Sequence, residues 1–161
     1  MGFQSLVYGT IEEWGDNRES NRLAIAQFEF DDVYPFTNIF WSGSPAAYKQ
    51  SVIGFAGSYK EIESDWNDWM GKFTQLLSNL EAFNTIVTLD GWRGHFTWRL
   101  SPLSWLEHLA GTFPEPPTTF KGEEWGIYEA PNHDFSLDPG FSDITAPGLD
   151  VPLWTTAESG E

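Results

Sequence analysis

The sequence predicts an α+β fold in a single domain: a mostly antiparallel sheet packed by two or three helices, with an extended C-terminal arm. Three observations carry that expectation. Of 161 residues, 40% are hydrophobic and 17% aromatic, which is enough to build one core at a length that suits one domain. Several short segments alternate apolar and polar residues with period two, as half-buried strands do. One longer segment repeats its apolar residues with the period of a helix. The core domain is placed at residues 1–130 and the arm at 131–161.

The elements follow in order. Phe3 to Glu13 reads as a strand, with Phe3, Ser5, Val7 and Ile11 on one face and Leu6, Tyr8 and Thr10 on the other. Gly9 marks a bulge or a close approach of another group. Trp14-Gly15-Asp16-Asn17 is a turn, and Asp16 with Glu19 forms a capping box for a helix reaching about Phe30. Leu23, Ala26 and Phe30 fit that helix, although residues 23–28 also read as a strand. Asp31 to Ser51 is a long loop dense in aromatics, the kind that carries function more often than short loops do. Val52 to Ile62 is a strand.

Ser64 is an N-cap, and Asp65 and Asp68 suit the positive end of the helix that follows. Trp66, Trp69, Met70, Phe73, Leu76, Leu77 and Leu80 give that helix, Ser64 to about Leu80, one apolar stripe for core packing. Thr85 to Leu89 suits a central strand, and Asp90 to Gly94 a hairpin connection. In His95 to Leu100, Phe96, Trp98 and Leu100 point inward. Pro102 opens another helix, with Leu103, Leu106 and Leu109 as its apolar side and Gly111 as its stop. Phe113 to Pro117 is a stiff linker, and Glu124 to Ala130 a last strand with Trp125 and Ile127 on one face. Beyond Pro131, prolines interrupt any regular element, while Phe135, Phe141, Leu149 and Trp154 sit among acids. This reads as an arm docked on the domain with a frayed end. Val7-Tyr8-Gly9-Thr10-Ile11 and Ile53-Gly54-Phe55-Ala56-Gly57 echo one another, each ahead of a helix.

The chemistry-bearing residues make no catalytic pattern. Without cysteine there is no disulfide and no Cys-ligated metal. His95, His108 and His133 lack metal-ligand spacing, and neither a phosphate-binding glycine loop nor a Gly-x-Ser-x-Gly elbow occurs. The expectation is therefore a non-enzyme with no catalytic residues, no metal and no cofactor. The N-terminus has no signal-peptide pattern, and no apolar run reaches the ~20 residues of a membrane span, which points to the cytoplasm. Adjacent acids such as Glu12-Glu13, together with abundant Trp, leave a carbohydrate-active enzyme or sugar-binding protein as an alternative.

Charge is the strongest functional signal. The formal net charge is −16, which argues against a nucleic-acid or anionic-membrane partner. It is uneven: residues 101–161 hold 11 acids and one base, Lys121, and eight of the ten prolines. A negative, aromatic-studded surface suits a basic protein partner, because complementary charge speeds encounter and aromatics anchor interfaces. On this basis Asp31, Asp32, Trp41, Glu123, Glu124, Asp134 and Asp138 are the candidate partner-binding residues.

In size, acidity, missing cysteine, aromatic content and α+β pattern, the chain resembles bacterial immunity proteins, the cytosolic antidotes of polymorphic toxins. The stretch Ile53-Gly54-Phe55-Ala56-Gly57-Ser58-Tyr59-Lys60, followed by Asp65-Trp66-Asn67-Asp68-Trp69 and a leucine-ended helix, looks like the centre of such a domain. The resemblance implies an antitoxin that binds a cognate toxin, plausibly a nuclease, and occludes its basic active-site surface. A DNA-mimic inhibitor is the remaining alternative.

Overall fold

The computed structural model describes residues 3–42, 48, 50–91, 94–111 and 115–131. These residues form six strands and three α-helices. β1 is Gln4–Trp14, α1 Arg18–Gln27, β2 Phe40–Ser42, β3 Gln50–Lys60, α2 Trp66–Ser78, β4 Ala82–Gly91, β5 Gly94–Pro102, α3 Leu103–Leu109 and β6 Trp125–Glu129. The strands make one antiparallel sheet in the order β2-β3-β1-β4-β5-β6. The expected α+β class is what the chain adopts. Of the expected arm, residues 131–161, all but Pro131 lies outside the described residues.

The sheet's two faces follow from the period-two patterning. Ser5, Val7, Ile11 and Glu13 of β1 are buried, as are Thr85, Val87 and Leu89 of β4 and Phe96, Trp98 and Leu100 of β5. Against this face packs α2, whose Trp66, Trp69, Met70, Phe73, Leu76 and Leu77 are all buried. Burying each of these side chains stabilises the fold by roughly 1.5–3 kcal/mol. Trp66 and Trp69 stack with ring centroids 5.0 Å apart, and Trp98 meets Trp66 at 5.0 Å. The opposite face keeps Leu6, Tyr8 and Val52 partly exposed.

Several local expectations give way to tertiary structure. Ser64 is not an N-cap: a 3-10 turn, Ile62–Asp65, precedes α2, and no side chain caps the helix. Neither Asp16 nor Asn17 caps α1, which ends at Gln27, short of Phe30. Its buried residues are Asn21 and Ile25, while Leu23 is 57% exposed, so the stripe runs one residue out of phase with the expected one. Within the long loop, β2 pairs with β3, a three-residue edge strand too short to register as a periodic signal. The loop's aromatics also enter the core. Phe36 is fully buried between Trp69 at 5.3 Å and Phe30 at 5.5 Å, and Phe40 meets Phe55 at 5.0 Å. The two echoing segments turn out to be neighbours, with Val7 opposite Gly57 and Ile11 opposite Ile53. Each of their strands runs into a 3-10 turn and then an α-helix.

Candidate partner-binding surface and a lined cleft

The loop after α1 is pinned to α2 by charge. The Asp31 carboxylate accepts the Phe36 N–H at 3.0 Å and pairs with Lys72 Nζ at 2.8 Å. The Lys72 bond, helped by the Phe36 amide, holds this carboxyl below the usual carboxylate range. Farther along the loop, the Tyr34 hydroxyl donates to Asp65 at 2.6 Å across the start of α2. Burial, the Asp65 bond and the nearby charges of Glu63 and Asp68 together push this phenol above its usual range.

The loop tip thus presents Asp32 and Val33 to solvent, Val33 at 82% exposure, beside a tyrosine fixed among three carboxylates. Glu63 is itself held, accepting the hydroxyl of the buried Ser5. The arrangement is an apolar tip on a rigid negative ground. It can engage a cationic surface with reduced ordering cost, because Tyr34, Asp65 and Glu63 are already bonded in place.

The candidate residues chosen from sequence fall in separate places. Asp31 and Asp32 lie in this loop, Asp31 in an internal ion pair and Asp32 exposed. Trp41 stands 53% exposed on β2, opposite Gly54 and on the sheet face away from α2. Glu123 has a structural duty: its carboxylate accepts the N–H of Ser104 at 3.1 Å and the Ser104 hydroxyl at 2.7 Å, capping α3 from outside the helix. Glu124 is exposed, and its carbonyl accepts the Leu103 N–H at 3.0 Å. Asp134 and Asp138 lie outside the described residues. The loop that carries Asp31 and Asp32 brings Tyr34 onto Glu63, Asp65 and Asp68, while Trp41, Glu123 and Glu124 lie on other elements. Asp65 and Asp68 read in sequence as companions of the helix dipole; only the return of Tyr34 onto them shows a surface.

A second feature sits at the far end of β1. Trp14 stacks on Phe120 at 5.4 Å and lies 4.5 Å from Phe83 and 6.2 Å from Trp105, an aromatic cluster that seats α3. Beside it opens a cleft of about 410 Å³ lined by Glu12, Phe83, Asn84, Ser101, Trp105, Leu106, Leu109 and Tyr128. Asn84 organises its floor. Its Nδ2 donates to Glu12 Oε1 at 2.7 Å, and its Oδ1 accepts the Tyr128 hydroxyl at 2.6 Å and the Ser101 hydroxyl at 3.2 Å. Burial raises the Tyr128 phenol against the pull of neighbouring Arg99, so at neutral pH the hydroxyl keeps its proton.

Among the described residues, no group of three or more His, Asp and Glu is placed to hold a metal ion, and no helix is long and apolar enough to cross a membrane. Comparison of the chain with protein-family models, with curated proteins and with solved structures finds no match.

Proposed function

We propose that the chain is an immunity protein that binds a cognate bacterial toxin in the cytoplasm and neutralises it without catalysis, by covering a basic active-site surface. The observation that carries this reading is the Tyr34 tip. A tyrosine fixed to Asp65 stands beside Glu63 and Asp68, and the exposed Asp32 and Val33 precede it in the loop. Tyrosine in a desolvating surround is a common interface anchor, and clustered carboxylates steer a cationic partner into contact. The net charge of −16 supplies the longer-range part of that attraction. Occlusion of an active site needs roughly 1,200–2,000 Å² of interface, so the tip would form the centre of a larger contact.

The test is a pull-down of the product of the adjacent upstream gene with the whole chain as bait, followed by an assay of that product's toxicity with and without the chain. Binding together with lost toxicity supports the reading. A neighbour that neither binds nor harms cells overturns it.

A further inference from the structure

The cleft beneath α3 has a donor and acceptor balance that selects its ligand. Both hydroxyl protons on its floor, those of Tyr128 and Ser101, are spent on Asn84 Oδ1, and one Asn84 Nδ2 proton is spent on Glu12. What remains is the second oxygen of the Glu12 carboxylate, Oε2, beside two donors, the second Asn84 Nδ2 proton and the Trp105 indole N–H. Glu12 is the one charged residue of the lining. Arg99 reaches the Tyr128 hydroxyl and is engaged by Glu129, Nε to Oε1 at 3.3 Å. The walls are the rings of Phe83, Trp105 and Tyr128, with Leu106 beneath and Leu109, 58% exposed, as an apolar lip.

We propose that this cleft binds a guanidinium group carried on an aliphatic stem, with the guanidinium on Glu12 between the aromatic walls and the stem along Leu106 and Leu109. A guanidinium is donor-only and cationic, and so matches the carboxylate of Glu12. It is planar, stacks on rings and forks onto a carboxylate. A sugar hydroxyl carries no charge and would leave the Glu12 carboxylate uncompensated. The site lies at the opposite end of β1 from Ser5 and its partner Glu63, so it stands independently of the acidic loop and of the toxin reading.

The experiment titrates the full chain with Nα-acetyl-arginine amide while following the Trp105 indole N–H resonance, which is assigned by its loss in Trp105→Phe. Saturable movement at about millimolar probe is expected for a ligand of this size. Nα-acetyl-citrulline amide has the same shape without the charge and should bind at least about tenfold more weakly. Free L-arginine separates the two sources of the group: equal or weaker binding than the capped probe indicates a protein-borne side chain, and clearly tighter binding a free amino acid. Glu12→Gln keeps an oxygen for Asn84 while losing the charge, and should weaken the arginine probe to the level of citrulline. The proposal is overturned if citrulline binds as well as arginine, if Glu12→Gln binds undiminished, or if neutral oligosaccharides shift the resonance and arginine does not. The citrulline comparison needs no variant, so a folding defect in Glu12→Gln leaves the proposal open to refutation.

Discussion

The Phe55 ring lies over Gly9, its partner across the β1–β3 ladder. A Cβ at residue 9 would stand 2.7 Å from the ring's Cζ and would also collide with the Ile86 carbonyl oxygen of β4. The ring is fully packed and the carbonyl belongs to a central strand, so neither gives way cheaply. Gly9→Ala is therefore expected to destabilise the fold by about 3 kcal/mol or more. Gly15 has open space around it and no positive φ, so Gly15→Ala should be neutral or stabilising by up to about 1 kcal/mol. Urea midpoints of the two variants check both expectations.

Two carboxyls tie chain segments together and make the fold acid-sensitive. Lys72 and the Phe36 amide hold Asp31 low. Burial works to raise Glu81, but donation from Thr119 at 2.6 Å and from the Phe120 N–H at 2.7 Å outweighs it, and Glu81 is also lowered. Because both folded values lie below the unfolded ones, the unfolded chain takes up protons first. Their stabilisation is present above about pH 4 and is lost as pH falls through the lower folded values. The double variant Asp31→Asn/Glu81→Gln should be less stable at pH 7 by about 1–3 kcal/mol, with a flatter profile below about pH 4.5. Urea unfolding from pH 7 down to pH 2.5 reads both effects.

Glu123 and the loop acids should separate folding from binding. Glu123→Ala removes the external cap of α3 and should cost about 1 kcal/mol with no change in partner association rate. Asp32→Lys with Asp68→Lys should lower stability by about 1–2 kcal/mol, because Asp68 lies in the first turn of α2, and slow association with the proposed toxin by about tenfold at low salt, with a shallower salt dependence. Stopped-flow association at two ionic strengths distinguishes them. The same measurement on Asp134→Lys/Asp138→Lys asks whether the C-terminal third steers the partner or only adds solubility.

Four buried indoles, those of Trp66, Trp69, Trp98 and Trp125, have no hydrogen-bond acceptor for their N–H among the described residues. Replacing one by Phe removes ring volume but breaks no hydrogen bond. Trp98→Phe should therefore cost only about 1–3 kcal/mol, below the range of a Trp→Ala deletion. Thermal or urea unfolding monitored by circular dichroism gives the comparison.

The elements that sequence made legible are those whose own periodicity matches their burial. The apolar stripe of α2, the inward Phe96-Trp98-Leu100 of β5 and the odd-numbered face of β1 fall where pattern places them. Gly9, marked as a close approach, is one. What pattern could not show depends on partners distant in the chain. The cap of α3 comes from Glu123, the tie of α1 comes from Asn21 bonding the backbone of Glu81, and β2 exists through β3. The site residues divide the same way. Asp31 and Glu123 look alike as surface acids until their internal partners are seen, and the Glu12–Asn84–Tyr128 floor joins three strands that no spacing rule connects.

The place of β1 in the sheet bears on how the chain is made. Leu6 faces Ser58 on one side and Asp90 on the other, so the earliest strand to leave the ribosome lies between two that leave much later. Until both have emerged, Val7 and Ile11 have no sheet to close over them. The β4–β5 hairpin can form locally, but the pairings of β1 must form by long-range search, on the order of milliseconds to seconds.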